Sequence, residues 1–168
     1  MIVCFAHGKE SGPCGTKITA LARIAESLGF AVISPDFTDS MNPDIRVQKL
    51  LKTIGTPSRP LVLVGSSMGG YVVTVPSEIL RPAGLFLMAP AFYLPGYVNQ
   101  DPTPCAGKTA IVHGWQDEVV PPDNAIRFAR QHRAELHLLD AGHTLNEELD
   151  TVERIFEGFL RDVLTGAH

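Results

Sequence analysis

Residues Leu61 to Gly70 read LVLVGSSMGG: four apolar residues, then glycine, two serines, methionine and two glycines. An apolar run that switches so abruptly reads as a buried strand leading into a sharp bend. Gly65-Ser66-Ser67-Met68-Gly69 fits the pattern G-x-S-x-G with Ser67 at its centre. Ser66 cannot be the centre, because positions 64 and 68 are Val and Met. In such a strand-to-helix bend the central residue is strained, and side chains two residues away on either side would collide. Glycine is therefore needed there, and the N–H groups that open the following helix face developing negative charge. A phosphate-cradling loop would need GxxxxGK[ST] and a dinucleotide loop GxGxxG; neither is present.

Outward from this stretch, short apolar runs alternate with helical patterns. The runs are Ile2–Ala6, Ala31–Ser34, Leu61–Val64, Gly84–Met88, Thr109–His113 and Glu135–Leu139. Most are continuously apolar, as in strands covered on both faces. Ile18, Leu21, Ala22, Ala25 and Leu28 recur at helical spacing before Gly29. Asn42-Pro43 reads as an N-cap and first helical position, with Val47, Leu50, Leu51 and Ile54 as the buried stripe and Gly55 as the stop. Asp123 to His132 predicts a helix. Leu149 to Leu164 predicts a strongly amphipathic one, its stripe formed by Leu149, Val152, Ile155, Phe156, Phe159, Leu160 and Val163. Tyr71 to Val75, YVVTV, has strand propensity. A parallel neighbour directly after Val64 would need a longer crossover, so 69–80 is read as a helix interrupted near Pro76. The fold expected is α/β, a three-layer α/β/α sandwich with a six-stranded, mostly or fully parallel sheet, in one domain over 1–168. Ala89 to Gly107, rich in proline and carrying Phe92, Tyr93 and Tyr97, is the one long irregular stretch. A loop that long is more often functional than idle.

Composition narrows the partners. The 168 residues are 45% hydrophobic and 19% charged, with a net charge of −4 and no basic block, which argues against nucleic acid. No apolar run approaches the ~20 residues of a membrane span. The opening MIVCFAHG lacks the cationic leader of a signal peptide. The three cysteines, Cys4, Cys14 and Cys105, form no CxxC pair. No cofactor motif or metal-ligand cluster appears, so neither is expected. A cytoplasmic location and a small-molecule substrate are expected; oligomeric state stays open.

A serine hydroxyl is a poor nucleophile until a base takes its proton. Of six histidines, His137 lies in a strand run, His132 beside Arg130 and Arg133, and His168 at the terminus. His7 and His113 each end a strand next to glycine and could orient loops. His143, in DAGHTL between the last strand and the last helix, is the expected base. The base needs a carboxylate to fix its tautomer. Asp117, in VHGWQDEVVP at the C-terminal edge of the fifth strand, ranks first, ahead of Asp140 and Glu118. The expected oxyanion donors are the backbone N–H groups of Met68 and, from FAHGKESG after the first strand, Lys9.

HG after the first strand, GSSMGG after the third, HGWQDEVVP after the fifth and GHTL before the last helix occur in that order. Over nearly its whole length the sequence resembles a small α/β-hydrolase, similar to capless bacterial-type esterases. The resemblance implies hydrolysis of an ester or thioester through an acyl-enzyme on Ser67. It supplies no substrate. Against larger relatives the antiparallel N-terminal strands and the cap are missing, and only the 89–107 loop is available to cover the site. A shallow site is then expected, with Phe92, Tyr93, Tyr97 and Trp115 as candidate linings. An amidase, peptidase or acyltransferase would use the same residues. A binding protein on an inactive scaffold would ordinarily have lost one of the three.

Overall fold

The computed structural model describes residues 1–166; His168 lies outside them. Six strands, β1 (Ile2–Ala6), β2 (Ala31–Ile33), β3 (Leu61–Ser66), β4 (Gly84–Met88), β5 (Lys108–Gly114) and β6 (Glu135–Leu139), form one sheet. The order is β2-β1-β3-β4-β5-β6 and every pairing is parallel. The helices are α1 (Thr16–Ser27), α2 (Pro43–Ile54), α3 (Met68–Thr74), α4 (Ser77–Leu80), α5 (Pro122–His132) and α6 (Leu149–Gly166). α1 and α6 cover one face of the sheet through Leu21, Ala25, Phe156 and Phe159. α2, α3 and α5 cover the other through Leu50, Val72 and Phe128. This is the three-layer α/β/α sandwich, and the sheet is fully parallel. The chain runs to β2 on one side of β1 and to β3 on the other. The loops after β1 and β3 therefore lead to helices on opposite faces of the sheet, which makes this C-terminal edge its switch point.

β1, β4 and β6 have the predicted bounds. The expectation of strands covered on both faces holds for β3 and β4 but not for the edges. β2 has three residues, two of them exposed, and β6 is only half-buried. Each edge strand pairs on one side only. Asn42 caps α2 as predicted, its side chain accepting from the Asp44 and Ile45 N–H groups. Cys4 lies fully buried in β1, and burial pushes its thiol up to about 12. Among the described residues no helix is long and apolar enough to cross a membrane.

YVVTV is helical. All seven residues of α3 are buried, so tertiary packing of Tyr71, Val72 and Val73 overrides their strand propensity. The helix breaks at Val75-Pro76, where the Ser77 hydroxyl donates to the Thr74 carbonyl at 2.6 Å before α4 begins.

The glycines around Ser67 are fixed by contact. A Cβ on Gly65 would lie 2.3 Å from the Gly69 carbonyl oxygen, and one on Gly69 would lie 1.9 Å from that of Ala6. Main chain there touches main chain. Gly158, within α6, has nothing within 4 Å. Gly65→Ala is therefore expected to destabilise by at least the ~1–3 kcal/mol of overpacking. Gly158→Ala should stabilise by about 0.5–1 kcal/mol. Urea unfolding of the two variants checks the pair.

Candidate active site

Ser67 sits between β3 and α3 with φ +55° and ψ −119°, outside the regions that ordinary residues favour. Such strain costs on the order of 1–3 kcal/mol and persists only where the surroundings impose it. Three backbone bonds do so, each 2.9 Å. The Ser67 N–H donates to Met88 O, and the Ser67 carbonyl accepts from the Gly70 and Ala91 N–H groups.

Asp117 and His143 come from different elements joined by another main-chain contact. A Cβ on Gly114, the last residue of β5, would lie 2.1 Å from the Ala141 carbonyl oxygen. The Trp115 N–H donates to Leu139 O and the Gln116 N–H to Ala141 O. Buried Ala141 and Leu145 anchor the histidine loop on either side, with Leu145 left-handed at φ +58°. The loop after β5 is thereby laid along the loop after β6.

The structure brings Ser67, Asp117 and His143 together. His143 Nδ1–H donates to Asp117 Oδ2 at 2.8 Å, which leaves Nε2 as the acceptor for the Ser67 hydroxyl at 2.9 Å. Asp140 instead accepts from the Gln116 side chain and is exposed, and Glu118 is exposed as well. The Asp117 carboxylate is fully buried and fully engaged. Oδ1 accepts from the Val119 and Val120 N–H groups at 2.9 and 2.8 Å. Oδ2 also lies 3.1 Å from His113 Nε2. Burial pushes the Asp117 pKa up, but bonds from His113, His143 and the Val120 N–H outweigh it and hold the carboxyl well below the usual range. Its stabilising contribution is full above the ordinary aspartate value of about 3.9. It is lost as pH falls from there through the folded value.

From the sequence His113 is a candidate only for orienting a loop; its contact with Asp117 emerges from the structure. Its Nε2 lies 2.9 Å from the Val120 carbonyl, so Nε2 carries the proton, and buried Nδ1 has no partner among the described residues. No sequence signal separates it from His7, since both are strand-end histidines before glycine. His7 donates from Nδ1 to Gly8 O at 2.8 Å and accepts from the Phe37 N–H at Nε2.

The loop after β1 reaches Ser67 at Gly8. A Cβ on Gly8 would lie 3.6 Å from Ser67 Cβ. Lys9 is exposed, and its N–H has no acceptor among the described residues. Met68 opens α3, where an N–H has no intrahelical partner. Arg46 lies behind the loop and was also missed. It shares the buried face of α2 with Pro43, Val47 and Leu50, so its spacing of four from Leu50 was the available signal.

The aromatic residues are dispersed. Phe92 was expected as a lining residue but is a core side chain, stacked on Phe128 at 4.3 Å. Half-buried Tyr93 lies over Arg127, Tyr97 packs edge-on against Tyr71, and Trp115 is exposed. The 89–107 loop is pinned where the Asn99 N–H donates to Tyr71 Oη and the Cys105 N–H to Ser77 Oγ. Two surface depressions of about 410 and 450 Å³ have neither Ser67, Asp117 nor His143 in their walls. Among the described residues no group of three or more His, Cys, Asp or Glu side chains is arranged to hold a metal ion.

No protein-family model and no curated protein matches this chain. Solved structures do. The chain is 36% identical to a protein of Xanthomonas campestris pv. campestris assigned as a hydrolase of the α/β superfamily. That match covers 95% of this chain and 98% of the other, with a TM-score of 0.84. Est1E from Butyrivibrio proteoclasticus, also solved with ferulic acid bound, is 16% identical with a TM-score of 0.81, covering 98% and 88%. An α/β serine hydrolase without lid from Xanthomonas campestris is 22% identical with a TM-score of 0.67, covering 95% and 81%. At those two identities the likeness concerns the fold alone.

His113→Phe keeps most of the ring volume and removes the bond to Asp117. It is expected to destabilise by about 1.5–3 kcal/mol, the range for hydrogen bonds to charged groups. The Asp117 carboxyl, followed by ¹³C NMR titration, should move up toward the ordinary range.

Proposed function

This chain belongs to the α/β-hydrolase superfamily, and from that premise we propose that it cleaves a small carboxylic ester or thioester through an acyl-enzyme on Ser67. The observation that carries the reading is the continuous relay Asp117 Oδ2, His143 Nδ1, His143 Nε2, Ser67 Oγ, with contacts of 2.8 and 2.9 Å.

Ser67 Oγ attacks the acyl carbonyl carbon while His143 Nε2 takes its proton. Asp117, ionised through the neutral range, stabilises the imidazolium. The carbonyl oxygen becomes an oxyanion held by the Met68 and Lys9 N–H groups. As the tetrahedral intermediate collapses, the bond to the leaving group breaks and His143 returns the proton to that group. Water then gives a proton to His143 and attacks the acyl carbon, and collapse releases the acid and restores Ser67. The strained backbone of Ser67 presents its hydroxyl to His143 before substrate arrives, so little reorganisation remains for the chemical step. Half-buried Ser67, the partly exposed His143 ring and a pinned 89–107 loop favour compact acyl groups.

Hydrolysis of p-nitrophenyl esters of increasing chain length tests the reading. Activity is expected on acetate and butyrate, to fall on long chains, and to vanish in Ser67→Ala. Undiminished activity in Ser67→Ala would sink it. Asp117→Asn should lower kcat by about 10⁴, the scale set by loss of the correct tautomer.

A further inference from the structure

Arg46 is fully buried, and among the described residues no carboxylate lies within salt-bridge reach of it. Burying an unpaired charge is expensive unless its donors are well used. Here they are spent on carbonyls. Nε donates to Ser40 O at 2.6 Å, Nη1 to Gly8 O at 3.0 Å with a longer contact to His7 O at 3.4 Å, and Nη2 to Lys9 O at 3.2 Å. One planar guanidinium thus gathers three consecutive carbonyls of the loop after β1. The His7 ring donates to the middle one.

In a planar trans peptide the N–H lies antiparallel to the carbonyl that precedes it. Drawing the Gly8 carbonyl toward the guanidinium therefore turns the Lys9 N–H away from it. Ser67 adjoins this same peptide, with its Cβ 3.6 Å from where a Gly8 Cβ would be. We propose that Arg46 is a positioning residue for the oxyanion loop: it locks the Gly8-Lys9 peptide with the Lys9 N–H aimed at the developing oxyanion. Its positive charge lies behind the same peptide and polarises that N–H. This assignment rests on the reading of Ser67 as nucleophile.

A lysine at 46 keeps the charge but not the planar fork. With p-nitrophenyl acetate, Arg46→Lys should lower kcat about 10-fold or more, toward the 10²–10³ of a lost oxyanion donor, with KM little changed. Butylboronic acid, whose adduct with serine carries a tetrahedral anion, should bind more weakly by the same factor. The acid limb of the pH profile should not move. In the wild-type chain, adduct formation should shift the Lys9 amide and Arg46 Nη–H resonances, a readout that requires no variant. An active wild type with unmoved Arg46 resonances, or Arg46→Lys with wild-type kcat and boronate affinity, would overturn the assignment alone. If wild type neither hydrolyses the ester nor binds the boronate, the nucleophile reading falls and the assignment with it.

Discussion

At the C-terminal ends of β1 and β3 the main chain lies directly against the main chain. Gly69 rests on the Ala6 carbonyl and Gly65 on that of Gly69, with separations that leave no room for a methyl group. This contact sets the angle at which α3 leaves the sheet and holds Ser67 at positive φ. It also puts the loop after β1 against the Ser67 side chain. The same device recurs where Gly114 rests on Ala141 and brings the Asp117 loop alongside the His143 loop. Residues far apart in sequence can then meet within 3 Å because the backbones carrying them are already in contact.

Two buried charges flank this arrangement and are handled in opposite ways. Asp117 keeps its charge and is solvated locally by a fan of donors from its own loop, His113 and His143. Arg46 has no counter-charge within salt-bridge reach among the described residues and spends its donors on backbone carbonyls. Removing a partner from such a group leaves an unsatisfied buried charge, which costs more than the bond itself is worth. In the proposed mechanism both charges act at one remove, Asp117 through the histidine and Arg46 through a peptide plane.

The sequence made the periodic and steric features legible. G-x-S-x-G was readable because its glycines answer a collision, and 69–80 was readable as helix because parallel topology leaves no room for a strand there. The bounds of β1, β4 and β6 followed from unbroken apolar runs. Arg46 escaped because charged residues are ordinarily placed outside, and only its spacing from Leu50 marked it as inward. The partnership of His113 with Asp117 depends on how the loop after β5 folds back, which no periodicity encodes. Phe92 is expected to line a pocket because it is an aromatic of the 89–107 loop, the one segment available to cover the site, yet stacking on Phe128 draws it into the core.

The central claim is that Ser67, and not the adjacent Ser66, is an activated nucleophile. Incubation of the folded chain with a fluorophosphonate probe, followed by digestion and mass spectrometry, tests it most directly. Stoichiometric phosphonylation of the peptide containing LVLVGSSMGG is expected, with fragment ions placing the adduct on Ser67 and no adduct in Ser67→Ala. An unlabelled folded protein, or an adduct on Ser66, would contradict it.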